Sequence, residues 1–88
     1  MIKVSKIDDQ TFEVTVKDGG TTTHRVTVSD DYYMKLSGGK VTPETLLEKS
    51  FEFLLERESN TSIFSSFDLP TITRYFPEYE QEIRKRLT

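Results

Sequence analysis

Apolar and polar residues alternate along the first third of the chain in a way that predicts three β-strands. The clearest is TFEVTVK, in which every second residue from Phe12 onward is apolar. A period of two is typical of a half-buried strand. Weaker alternation marks residues 2–7 and about 21–28, and the Asp-Gly-Gly at 18–20 suits a tight hairpin turn. Consecutive strands with short turns favour an antiparallel meander with one face on the core.

One broadly apolar helix, TPETLLEKSFEFLLERE at 42–58, dominates the second half of the chain. Thr42 is suited to cap it and Pro43 to occupy its first helical position. Its core-facing positions cover an arc of about 200°, twice the stripe of about 100° that a surface helix needs. These positions are Leu46, Leu47, Ser50, Phe51, Phe53, Leu54 and Leu55. We therefore expect this helix to form the centre of the core, covered from two sides.

Shorter helices are predicted on either side of the central one. Ser29 can cap a short helix that stops at the Ser-Gly-Gly of 37–39. Asp68 is expected to cap a two-turn helix, LPTITRYF, and a last helix spans 77–87. In that last helix the pairs Glu80–Arg84 and Glu82–Arg86 have the spacing of intrahelical ion pairs.

The segment between the central and last helices carries an unusual number of apolar residues. Ile63, Phe64 and Phe67 are expected to form a turn that folds back onto the core. Together with Tyr75 and Phe76, the two phenylalanines are too apolar for a large exposed patch on a monomer. We expect these four aromatic residues to cover the second side of the central helix, within one chain or across a dimer.

These elements predict the α+β fold class and a single domain over residues 1–88. A three-stranded antiparallel meander at 1–28 packs on the central helix, and 29–88 form the helical part. The chain has no cysteine, no apolar run long enough to span a membrane and no signal-peptide pattern. We therefore expect a cytoplasmic protein that does not enter a membrane.

The net charge of −3 arises between residues 41 and 77, where one face of the central helix is acidic. Its ridge consists of Glu44, Glu48, Glu52 and Glu56. This acidic ridge is either a solvated face or a contact surface for a basic protein, with apolar support from Phe53 or Leu55. The basic Arg84-Lys85-Arg86 segment of a second copy is one candidate for the opposite side, which would make a homodimer.

The residues that could carry chemistry do not form a recognisable site. His24 is the only histidine, and without cysteine it cannot build an ordinary zinc site. Ser65 and Ser66 lack the setting of a nucleophilic serine, and neither Gly-Gly pair is a phosphate loop. The sequence thus predicts no catalytic, metal-binding or cofactor-binding residues and no small-molecule substrate.

The run HRVTVSDDYYMKLSGGKVTPETLLEKSFEFLLERE resembles ribbon-helix-helix DNA-binding proteins. That resemblance implies a strand whose alternate side chains enter the major groove, here Thr23, Arg25 and Thr27. It departs from the family in the short first helix, in the two strands that precede the ribbon, and in the acidic balance of the chain. Since phosphate binding depends on lysine and arginine, that balance argues against nucleic acid as a partner.

A second resemblance covers most of the chain. The same segment, followed by SIFSSFDLPTITRYFPEYEQEI, is similar to a family of small prokaryotic proteins of uncharacterised activity. It implies a prokaryotic cytosolic origin and brings no activity with it. The sequence therefore favours a non-catalytic protein-interaction or self-associating module, with a ribbon-helix-helix DNA-binding regulator as the alternative.

Overall fold

The computed structural model describes residues 1–87 and contains four strands, four α-helices and two short 3-10 turns. The strands are β1 (Ile2–Lys6), β2 (Thr11–Lys17), β3 (Thr21–Thr27) and β4 (Ser66–Asp68). The helices are α1 (Asp30–Ser37), α2 (Pro43–Leu55), α3 (Ile72–Tyr75) and α4 (Tyr79–Leu87). The 3-10 turns are Asn60–Ser62 and Leu69–Thr71. The α+β class is confirmed.

The first three strands form the predicted antiparallel meander. In the register of β1 with β2, Val4 lies opposite Val14, and in that of β2 with β3, Phe12 lies opposite Val26. Gly19 occupies the hairpin turn between β2 and β3 with a φ of 76°, a conformation that glycine adopts without cost. The predicted inward-facing residues, Phe12, Val14, Val16, Val26 and Val28, are all buried.

A fourth strand turns the predicted meander into a mixed sheet of order β1-β2-β3-β4. Its three residues pair in parallel with β3, Phe67 lying opposite Val26. The prediction of an apolar turn at 63–67 that packs on the core is confirmed only for Ile63, which is buried. The chain then extends along the edge of β3 as β4. The expectation that Asp68 caps a helix is wrong, because its carboxylate accepts a hydrogen bond from the Thr27 hydroxyl across the sheet.

Helix α2 begins and packs as the sequence predicts. The Thr42 hydroxyl accepts a hydrogen bond from the Thr45 N–H at 3.1 Å, and Pro43 is the first helical residue. The helix ends at Leu55, three residues short of the predicted 42–58 span. Its buried positions, Leu46, Leu47, Ser50, Phe51, Phe53 and Leu54, face both the sheet and the C-terminal helices. One contiguous core thus surrounds α2, as expected.

The C-terminal helices differ from the prediction in detail. The expected two-turn helix after Asp68 is a 3-10 turn followed by a single α-turn, α3. Helix α4 buries Tyr79 and Ile83 against the core. Glu82 and Arg86 form the predicted ion pair at 3.8 Å, whereas Glu80 bonds to the Tyr32 hydroxyl and the Lys35 ammonium of α1. Within residues 1–87, no helix is long and apolar enough to cross a membrane.

Candidate functional site

Two aromatic side chains lie exposed beside the short strand β4. Phe64 is 49% exposed and Tyr75 is 59% exposed, and their rings pack edge to face with centroids 5.5 Å apart. Large exposed apolar side chains in contact with each other mark interaction surfaces more often than isolated ones do. Within one chain, the expectation that both would cover the central helix is therefore wrong, because they form the outer wall of a groove. Their cover across a dimer stays a prediction.

This aromatic groove has a cavity volume of about 180 Å³. It lies between the end of α2, the 3-10 turn at 60–62 and the segment that contains β4 and α3. Its apolar walls are Leu54, Ile63, Phe64, Phe67, Ile72, Tyr75 and Phe76, and Glu58, Ser62 and Thr71 complete it. The floor belongs to the core, since Leu54, Ile63 and Ile72 are buried.

A buried histidine fixes the position of Phe64. His24 is 2% exposed, and its Nδ1 lies 2.7 Å from the Phe64 carbonyl oxygen. Because a carbonyl can only accept, Nδ1 carries the proton and donates it. The other nitrogen, Nε2, lies 2.9 Å from the Thr22 hydroxyl. Both ring nitrogens of His24 are therefore hydrogen-bonded, and the side chain links β3 to the backbone of Phe64 at the groove.

Glu58 places a carboxylate at the end of this apolar groove. Its side chain is half-buried, and loss of contact with water raises the pKa of Glu58 above its ordinary value. No ion pair to Glu58 forms among residues 1–87. A desolvated carboxylate without a counter-ion favours a cation in the occupant of the groove.

The acidic ridge predicted on α2 is divided by contacts within the chain. Glu56 lies 2.6 Å from Arg86, which lowers the pKa of Glu56, and 3.4 Å from Arg57. Glu52 lies 3.6 Å from Lys49. Glu48 is exposed and Glu44 is half-buried, and neither forms an ion pair within the described chain. Since Arg86 is already paired in its own chain, it is less suited to reach the ridge of a second copy.

The two apolar residues that were expected to support the ridge lie in different environments. Phe53 is fully buried, packs edge to face on Tyr79 and Phe76, and is covered by the Arg57 guanidinium. It is therefore not accessible to a partner in this structure. Leu55 is half-buried and lines a second, open concave surface beside β1, which we call the β1 hollow. The hollow is lined by Met1, Ile2, Asp18, Glu48, Glu52 and Leu55.

The residues expected to read DNA lie on the outer face of β3. Thr23 and Arg25 are exposed and Thr27 is half-buried. Strand β3 is an inner strand, paired with β2 on one side and β4 on the other, unlike a ribbon that pairs only with its dimer mate. Glu13 lies directly opposite Arg25, and Asp68 accepts from Thr27, so acidic groups flank the predicted contact residues.

Within residues 1–87, no group of three His, Cys, Asp or Glu side chains lies close enough together to hold a metal ion.

The sequence did not predict the aromatic groove, because β4 is too short to show alternation. The one signal of the groove in the sequence was the density of aromatic residues at 64–76.

Comparison with protein-family models, curated proteins and solved structures found no match.

Proposed function

We propose that this protein is a non-catalytic protein-interaction module that holds a segment of another protein in its aromatic groove. The observation that carries the proposal is the exposed pair of Phe64 and Tyr75 over a buried apolar floor. Tyrosine and phenylalanine are enriched at interfaces, where a ring contributes a large contact area at low entropic cost. The absence of cysteine suits a reducing compartment, and we place this module in the cytoplasm.

The size of the groove favours side chains of a peptide over a small-molecule substrate. Small-molecule sites have volumes of about 300–1,000 Å³ and enclose most of the ligand. The aromatic groove has 180 Å³, which suits one or two apolar side chains of a longer segment. The rest of the partner then lies across the surface around Phe64 and Tyr75.

The charge of the groove specifies the partner further. Glu58 is its one ionisable wall residue besides Tyr75, and its half-buried carboxylate has no ion pair within the described chain. A lysine or arginine next to the apolar anchor would return a counter-ion to Glu58. The proposed partner is therefore a segment with a bulky apolar residue beside a basic residue.

A random peptide library displayed on phage tests this proposal. Selection on the wild-type protein should enrich a bulky apolar residue next to lysine or arginine. Tyr75→Ser should remove the enrichment, and Glu58→Gln should keep the apolar position while losing the basic preference. Met34→Ser is the matched control, because Met34 is also exposed but lies on α1 outside the groove.

Two results would contradict the proposal. One is a library that yields no enriched sequence on the folded wild-type protein. The other is a consensus that persists unchanged on Tyr75→Ser, which would place the binding surface elsewhere on the molecule.

A further inference from the structure

Strand β1 forms an edge of the sheet with an unpaired row of backbone groups. Its partner β2 lies on one side only. Met1 bonds to Lys17 through both its N–H and C=O groups at 2.9 Å, and the Ile7 N–H donates to the Thr11 carbonyl. Bonded residues alternate in an antiparallel ladder, so Lys3 and Ser5 also bond towards β2. The N–H and C=O groups of Ile2, Val4 and Lys6 therefore point away from the sheet.

We propose that β1 pairs antiparallel with β1 of a second copy about a twofold axis at Val4. The outward-pointing N–H and C=O groups of Ile2, Val4 and Lys6 then meet the same groups of the other chain. The two four-stranded sheets join into one of eight strands. This contact is isologous, since both chains use the same strand. Once two copies have paired, neither has a free β1 edge, so assembly stops at the dimer.

The register about Val4 brings together the apolar residues that a single chain leaves exposed on this strand. Met1 is 77% exposed and Ile7 is 47% exposed, and both continue the outward-facing row of Lys3 and Ser5. In the dimer, Met1 lies opposite Ile7 of the second copy. Lys3 lies opposite Ser5 rather than opposite another lysine, so no like charges face each other directly.

The same register places a lysine against the β1 hollow. Lys6 lies opposite Phe12 on β2, so its side chain belongs to the core-facing side of the sheet, as those of Ile2 and Val4 do. An inward-pointing charge on an edge strand ordinarily keeps edges apart. Here Lys6 of the second copy lies opposite Ile2, next to Glu48, Glu52 and Asp18 of the hollow. Lys6 therefore disfavours pairing of β1 with an apolar strand edge of another protein. In pairing with a second copy of this chain, it lies beside carboxylates instead.

This dimer goes beyond the proposed peptide binding and uses the opposite side of the molecule. The aromatic groove adjoins β4, and β1 is the other edge of the sheet. Pairing through β1 leaves both grooves open, so the dimer would present two identical peptide sites. Failure of one proposal is therefore distinguishable from failure of the other.

Sedimentation velocity over a range of concentrations up to the order of 100 µM tests the dimer. Val4→Pro removes an outward-pointing N–H that β2 does not use, a change that edge strands tolerate, and it should make the protein monomeric. Lys6→Glu and Glu48→Lys should each weaken the dimer by about 3- to 30-fold, since each removes two exposed ion pairs. The double variant Lys6→Glu, Glu48→Lys restores opposite charges and should recover most of the affinity. Tyr75→Ser is the control and should still dimerise.

A wild-type protein that remains monomeric throughout this range overturns the proposal. So does a dimer that persists in a folded Val4→Pro variant, or one that is lost with Tyr75→Ser. If Val4→Pro fails to fold, the charge exchange decides: a double variant no better than Glu48→Lys alone would show that Lys6 does not face the hollow.

Discussion

The hydroxyl groups of Ser50 and Tyr79 lie 2.6 Å apart in the centre of the core, and both side chains are fully buried. The Ser50 hydroxyl also donates to the Leu46 carbonyl at 2.7 Å. Since serine has one hydroxyl proton, the Tyr79 hydroxyl must be the donor in the shared bond. This buried polar contact joins α2 to α4 within an apolar environment.

That order of donation predicts unequal effects for the two conservative substitutions. Tyr79→Phe removes one hydrogen bond and leaves Ser50 bonded to Leu46, so it should cost about 1 kcal/mol. Ser50→Ala leaves the buried Tyr79 hydroxyl without an acceptor and should cost about 1–3 kcal/mol. The double variant should cost less than the sum of the two. Urea unfolding of all four proteins measures these differences, and equal, additive costs would contradict the assignment of donor and acceptor.

Removing the hydrogen-bonding nitrogens of His24 should weaken the pairing of β4 with β3. His24→Leu keeps an apolar side chain of similar size but loses the bond to the Phe64 carbonyl, so we expect about 1–3 kcal/mol of destabilisation. The Arg25 N–H, which donates to the Ser65 carbonyl at 2.8 Å, should then exchange with solvent faster. Thr22→Val is the matched control, because it removes only the bond to Nε2. Unchanged exchange at Arg25 in the leucine variant would show that β4 does not depend on His24.

Acid should weaken the contact between α1 and α4. The hydrogen bond from Tyr32, followed by the ammonium of Lys35, lowers the pKa of Glu80 below its usual value of 4.5. The stabilisation is therefore present above that value and is lost as the pH falls through the folded-state pKa. Thermal unfolding between about pH 6 and 3 should show a smaller loss of stability in Glu80→Gln than in the wild type. Asp9→Asn, which removes an exposed carboxylate that forms no ion pair within residues 1–87, should follow the wild type.

The outer face of the sheet should bind DNA only weakly and in a salt-dependent manner. Its cations, Lys3, Lys17 and Arg25, are accompanied by Glu13 and Asp68 on neighbouring strands. Each phosphate contact contributes about −0.9 to the slope of log K against the logarithm of the salt concentration. Because these cations are few and have acidic neighbours, we expect the affinity for DNA to be lost at physiological salt. A fluorescence anisotropy titration with genomic DNA fragments measures this. Tight binding at physiological salt that disappears with Arg25→Ala would instead support the ribbon-helix-helix alternative, with Glu48→Lys, Glu52→Lys as the control that should retain it.

The regular part of the fold could be predicted because its signals are local. The alternation from Phe12 to Val16, the Thr42-Pro43 helix start and the broad apolar arc of α2 each depend on residues close in sequence. Strand β4 could not be predicted, since three residues show no period and its pairing with β3 depends on the placement of everything between them. The role of Asp68 was wrongly predicted for the same reason. The residue types around Asp68 favour a helix cap, but the fold places its carboxylate beside the Thr27 hydroxyl, which is distant in sequence.

The candidate site was less accessible to sequence reasoning than the fold. The aromatic residues at 64–76 signalled an unusual surface, but their spacing does not show which rings face the core. Phe67 and Phe76 are half-buried, whereas Phe64 and Tyr75 lie outside. The acidic ridge follows from helical spacing, and so does the pairing of Glu52 with Lys49, three residues away on the same helix. The pairing of Glu56 with Arg86 of α4 depends on tertiary packing, which no helical wheel reveals.

The parallel pairing of β3 with β4 has a consequence for the emergence of the chain from the ribosome. Thr27 and Asp68 are 41 residues apart, and α1 and α2 are both translated between them. The two hairpins can form early, because their contacts are local. The edge of β3 nevertheless has no partner until Asp68 is translated, so the nascent sheet has two unpaired edges, β1 and β3. In the folded chain, over residues 1–87, β1 remains an unpaired edge while the three-residue β4 covers part of β3. A chaperone that binds unpaired strand edges should therefore engage the nascent chain in that interval and release it when β4 docks.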